Sequence, residues 1–144
     1  MTFARPRLDQ VRWIDLPSNR DDRGILTSIE SGQDTPFPIR RVFYMHHVIA
    51  ERGGHAHIDT DQVVLAMAGT FELELRDGKD SIRYALDDPT RGLYVPRMVF
   101  IDIHGMSPET VCLVLASTHY DITRSLRSWD AYQEALAHRA SEEG

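Results

Sequence analysis

Residues 52–78 read "RGGHAHIDTDQVVLAMAGTFELELRDG", and the periodicity of this stretch decides the fold. From Phe71 the apolar side chains alternate, Phe71, Leu73 and Leu75, stop at Asp77-Gly78 and resume at Ile82. A period of two suits a half-buried strand, and Asp-Gly suits a tight turn, so a β-hairpin is predicted here. Ahead of it, "QVVLAMAG" is another strand-like run, closed by Gly69. Earlier still, His55 and His57 lie one residue apart behind Gly53-Gly54, which permits an unusual backbone entry. On an extended backbone, residues i and i+2 share a face, so both imidazoles are aimed into one space.

Working outward, "GILTSIE", "IRRVFYMHHVI", "SIRYALDD", "GLYVPRMVFIDI" and "TVCLVLAS" repeat the pattern between Gly, Pro and Asp-Gly breaks. This spacing predicts an antiparallel all-β sandwich or barrel. Only the tail is helical in pattern: Trp129, Tyr132 and Leu136 share a face, and Ser128 can cap the first turn. With no internal repeat and no linker rich in Pro, Gly or Ser, a single domain over 1–144 is expected. Its core is placed at about 20–122 and its helix at about 128–140.

The chain has 144 residues, 42% hydrophobic and 26% charged, which suits a soluble globular protein. No apolar run is long enough for a membrane span, and the N-terminal segment lacks the apolar stretch of a secretory signal, so a cytoplasmic location is expected. A net charge of −6 with scattered Lys and Arg argues against a nucleic-acid or anionic-membrane surface, while leaving room for a local arginine cluster that holds a small anion. The single cysteine, Cys112, lies in an apolar run and reads as a buried, inert thiol.

A same-face histidine pair can hold a metal ion, move a proton, or line an interior without chemistry. Imidazole suits proton transfer because its ordinary pKa lies near neutrality. The H-x-H layout resembles the first motif of the cupin superfamily. Metal-binding cupins add a glutamate and a further histidine; here Gln62 and the Phe100-Ile101 pair fall at those places. Two imidazoles and a neutral amide make a poor site for a divalent ion, with His104 available only if the register slips.

"DDRGILTSIE", "PFPIRRVFYM", the stretch quoted first, "YALDDPTRGLYVPRMVF" and "SPETVCLVLASTHYD" occur in this order from about Arg23 to Tyr120. Together they resemble the sugar-nucleotide 3,4-ketoisomerases that act on dTDP-4-keto-6-deoxyglucose. The resemblance implies a cupin-type antiparallel double-sheet barrel, or jelly roll, and a homodimer that exchanges N-terminal strands. It also implies catalysis without metal or cofactor in deoxy-amino-sugar biosynthesis, moving a ketone from C4 to C3. By the same resemblance, His55 is the base at C3, and His57 assists at the oxygens or at C4. Tyr44 is a general acid or hydrogen-bond donor, Arg23, Arg52 and Arg41 meet the nucleotide, and Gln62 meets a sugar hydroxyl or a histidine. The alternatives are a metal-dependent cupin enzyme and a non-catalytic sugar-nucleotide binding cupin.

The chain departs from this family at several positions. Phe43 stands in place of a tyrosine, Phe100 and Ile101 in place of a tryptophan and a polar residue. Arg124 and Ser125 replace an acid and a tyrosine, whereas Tyr120, Asp121 and Arg127 are kept. These changes are expected at substrate or dimer contacts, so they bear on the keto sugar, the nucleotide base and the configuration at C4. His119 and Trp129 are expected to pack or cap, and at most one of His46 and His47 to face the interior.

Overall fold

The computed structural model describes residues 2–143. The strands are β1 (Arg12–Asp15), β2 (Ser18–Asp21), β3 (Gly24–Thr27), β4 (Arg41–Met45), β5 (Arg52–His57), β6 (Gln62–Ala68), β7 (Phe71–Arg76), β8 (Ser81–Leu86), β9 (Arg91–Val95), β10 (Phe100–His104), β11 (Val111–Ala116) and β12 (Ser125–Leu126), followed by helix α1 (Trp129–Glu143). One antiparallel sheet runs β1-β9-β6-β11-β4 and a second runs β12-β5-β10-β7-β8. They enclose a common core of Val64, Leu73, Leu75, Leu93, Ile101 and Val114, among others. This is the cupin-type double-sheet barrel. Among the described residues, β2 and β3 pair only with each other.

The hairpin forms as its alternation predicts: Leu75 pairs with Ile82, and Phe71, Leu73 and Leu75 are buried while Glu72, Glu74 and Arg76 alternate with them. In its turn, the Asp77 carboxylate accepts from the backbone N–H groups of Lys79 (2.9 Å) and Asp80 (2.7 Å). β6 carries two apolar faces. Val64 and Ala66 fill the barrel, while Val63 and Leu65 pack outside it against Leu16 and Phe37.

Helix α1 covers the outer face of the other sheet. Ser128 caps it by accepting from Ala131 N–H at 3.1 Å. Tyr132, fully buried, packs with Ala56, Met98 and Phe100, and its hydroxyl donates to the Met98 carbonyl at 2.6 Å. Phe100 therefore meets the helix rather than a ligand: its ring lies 5.1 Å from Trp129. Two boundaries differ from expectation. β1 joins the first sheet at Arg12–Asp15, ahead of about residue 20, and α1 runs on to Glu143.

The feature that positions the site is a bulge in β5. Ile101 pairs with His55, but the next residue, Asp102, pairs with Gly53, and Ile103 with Arg52. Gly54 is thus the extra residue, and both glycines have positive φ, +100° and +76°. In a regular strand Arg52 and His55 would point to opposite faces. The bulge turns Arg52 inward, opposite the inward-facing Ile103.

A Cβ at position 53 would lie 2.8 Å from Asp102 Cα, whereas at position 54 the nearest atom is Asp102 Oδ1 at 3.8 Å. Gly54→Ala should therefore lose only about 1–2 kcal/mol, from left-handed backbone strain. Gly53→Ala should lose about 3–4 kcal/mol by also parting β5 from β10. Denaturant unfolding of the two variants checks the difference; equal losses would show that the backbone contact at position 53 is not limiting.

Candidate active site

A cavity of about 740 Å3 opens between the inner face of β5, the start of β4 and the segment from Thr118 to Arg127. His55 and His57 line it with rings 5.0 Å apart and nearly perpendicular. Ala56 between them is fully buried on the opposite face, against the helix-side cluster. Strand alternation thus delivers both imidazoles to the cavity. The opposing wall is tied to β5 by three kinds of contact: β12 pairs Ser125 with His57, the Arg124 carbonyl accepts from Ile58 N–H at 3.0 Å, and the Arg124 guanidinium meets Asp59 at 2.5 and 3.0 Å. Thr60 and Thr118 hydroxyls, 2.6 Å apart, close the same seam.

Burial sets the electrostatics of the histidine pair. His57 is pushed down to about 4, by desolvation first and then by His55, Arg41 and Arg127. His55 is also lowered, again by desolvation first, with Arg127 and Arg52 acting in the same direction against a backbone hydrogen bond to Gly53 and the charge of Asp102. Both rings are neutral near pH 7, and among the described residues His57 Nε2, though buried, has no hydrogen-bond partner. Four arginines line the cavity, Arg41, Arg52, Arg124 and Arg127. Arg124 is neutralised by Asp59, while among the described residues the other three form no ion pair with a carboxylate. Neutral imidazoles beside uncompensated guanidinium groups suit an anionic ligand and can accept a proton from it.

No group of three or more His, Cys, Asp or Glu side chains is placed to share a metal ion among the described residues. His104 does not join the pair: its ring nitrogens meet Glu51 at 3.0 Å and Glu74 at 3.1 Å, and these carboxylates, Glu74 foremost, raise its pKa.

The family described as FdtA: WxcM-like, C-terminal matches residues 9–137. The chain belongs to this FdtA family. It is 38% identical over 119 residues to the TDP-4-oxo-6-deoxy-alpha-D-glucose-3,4-oxoisomerase of Aneurinibacillus thermoaerophilus, covering 81% of this chain and 86% of that one. The crystal structure of QdtA, a sugar 3,4-ketoisomerase from Thermoanaerobacterium thermosaccharolyticum, in complex with TDP, superposes with a TM-score of 0.85 at 34% identity, over 91% of this chain and 98% of that one. A mutant of QdtA in complex with TDP-4-keto-6-deoxyglucose gives the same TM-score at 34% identity, over 90% and 96%.

Within this FdtA-family site, His55, His57, Arg41 and Arg52 come together, and the other expected residues do not. Tyr44 is 61% exposed on the outer face, stacked on His46, because alternation along β4 gives the inward positions to Arg41 and Phe43. The inward aromatic of β4 therefore has no hydroxyl. Gln62 shares a cross-strand row with Arg41 through Ala116, but it is buried short of the cavity wall. Arg23 lies on the separate β2–β3 hairpin, paired with Asp21 at 2.7 Å. Ile101 belongs to the barrel core beside His55.

The lining residues that were not expected as site residues include Tyr120, Arg127 and His119, the last expected only to pack or cap. The first two lie in "YDITRSLRSW", where the family pattern is kept at Tyr120, Asp121 and Arg127, and that was the available signal. Histidine ring NMR should show His57 titrating near 4 and His55 below 6.5. Because the unfolded chain takes up these protons first, stability should be complete above about pH 6.5 and fall as pH drops toward 4. A His57 midpoint near 6.5 would contradict the buried, neutral ring.

Proposed function

We propose that this protein is a TDP-sugar 3,4-ketoisomerase that converts a 4-keto-6-deoxyhexose to its 3-keto isomer by histidine-mediated proton transfer without a metal. The observation that carries this reading is the pair of neutral imidazoles facing one cavity beside arginines that no carboxylate among the described residues neutralises. The relatives are named for acting on or binding TDP-linked sugars, and an anionic nucleotide diphosphate is the kind of ligand such arginines attract.

In the proposed reaction, neutral His55 removes the C3 proton. The C3–H electron pair becomes a C3–C4 double bond, and the C4 carbonyl pair moves onto its oxygen. Protonation of that oxygen, loss of the O3 proton and delivery of a proton to C4 then give the 3-ketone and a C4 hydroxyl, with His57 serving the oxygens or C4. Arg52 and Arg127, both exposed at the cavity, suit the diphosphate. The 3-keto product is a substrate for a reaction that aminates a ketone, which fits a place in deoxy-amino-sugar synthesis in the cytoplasm. Chelator-treated protein with dTDP-4-keto-6-deoxyglucose in D2O should yield a 3-keto sugar carrying deuterium at C4, read by NMR. His55→Asn should lower turnover by at least about 100-fold while leaving TDP affinity within a few-fold. Product formation that needs added metal, or a fully active His55→Asn, would sink the mechanism.

We also propose a homodimer built by exchange of the β2–β3 hairpin. That hairpin pairs with neither main sheet and exposes Ile25 and Leu26. β4 is an edge strand whose outer face exposes Val42 and Tyr44, leaving both an apolar surface and unpaired backbone groups to cover. Light scattering should report twice the 16.5 kDa chain mass, and excision of residues 18–27, whose flanking Ser28 N–H and Pro17 carbonyl lie 3.0 Å apart, should abolish the dimer. A monomer at micromolar concentration would overturn this assembly.

A further inference from the structure

Arg41 and Arg52 both reach the cavity, but their settings differ. Arg52 is exposed, and its Nε contacts Met45 Sδ at 3.1 Å. Arg41 is half-buried, with its Cζ 5.1 Å from the Phe43 ring centre and 5.3 Å from that of Tyr120. Its Nε is buried and has no hydrogen-bond partner among the described residues, and the same holds for Nε2 of His57. The two side chains are close enough for the Arg41 charge to act on His57.

We propose that Arg41 is the catalytic residue that neutralises the oxygen charge of the enediolate, and that Tyr120 is its positioning residue. This assignment rests on the ketoisomerase reading above. A guanidinium held against two aromatic rings keeps its plane fixed without a carboxylate to cancel its charge. Buried polar atoms call for partners, and an oxygen of the sugar seated against this wall is a partner that both Arg41 and His57 lack. As His55 takes the C3 proton, the carbonyl oxygen gains a full negative charge. A fixed cation beside the imidazoles stabilises that charge more than it stabilises the neutral ketone. Arg52 and Arg127, more exposed, are left to the diphosphate. Tyr120 acts here through its ring. It is 70% exposed and stands on the wall segment that the Asp59–Arg124 pair and β12 hold against β5.

The test compares Tyr120→Phe, Tyr120→Ala and Arg41→Lys in the full chain, measuring kcat, KM, C3 hydrogen exchange and TDP affinity by calorimetry. Tyr120→Phe keeps the ring and should stay within about three-fold of the wild type. Tyr120→Ala should lose about ten-fold in kcat, and Arg41→Lys about 100-fold or more, with TDP affinity in both within about three-fold. Tyr120 is on the surface, so its variants read out the role even if Arg41→Lys fails to fold. A loss of TDP affinity that accounts for the whole defect of Arg41→Lys would place Arg41 on the diphosphate and overturn the assignment. A Tyr120→Phe as impaired as Tyr120→Ala would make the hydroxyl, not the ring, the working group, and overturn it too. A wild type that binds TDP but exchanges no C3 hydrogen would instead remove the ketoisomerase reading, and this role with it.

Discussion

The site depends on one backbone irregularity, the extra residue at Gly54 that shifts β5 against β10. Strand geometry alone would put Arg52 and His55 on opposite faces. With the bulge, Arg52, His55 and His57 all face the cavity while Ala56 stays beneath the helix. Gly53 must approach the β10 backbone so closely that no side chain fits, and both glycines adopt positive φ. The rest of the barrel supports this strand. β10 and the α1 layer hold it on either side, and β12 extends its edge to bring in the second wall of the cavity.

The electrostatic character of the cavity follows from an imbalance. Carboxylates neutralise Arg97 and Arg124 at the periphery, through Asp61 and Asp59. Among the described residues none neutralises Arg41, Arg52 or Arg127, so a protein of net charge −6 keeps a local positive field where its imidazoles are buried. That field and the desolvation act in the same direction on the histidines, holding them in the unprotonated form that a base requires. Affinity for an anion and readiness to accept a proton thus arise from the same arrangement.

Much of the architecture was legible because it is local. The alternation of Phe71, Leu73 and Leu75, the Asp-Gly turn and the Ser128 cap depend on near neighbours, and each forms as its residues require. The same-face placement of His55 and His57 is equally local, a consequence of period two. Tyr44 faces outward for a reason of the same kind: one position along β4 reverses the face, and only its pairing with β11 shows that Phe43 holds the inward place, opposite Val114 of the core.

By itself the sequence determined the strand periods, the turns, the helix cap and the histidine pair, since each is set by residues within a few positions of one another. Tertiary structure decided which arginines line the cavity. Arg41, Arg52 and Arg127 come from three different strands or their ends and meet only when β4, β5 and β12 are assembled, while Arg23 and Gln62 are carried elsewhere. It also decided that Phe100 packs under a helix and that Tyr120 lies against Arg41. Such contacts join residues tens of positions apart, and no local pattern encodes them, because they depend on strand order and register rather than on composition.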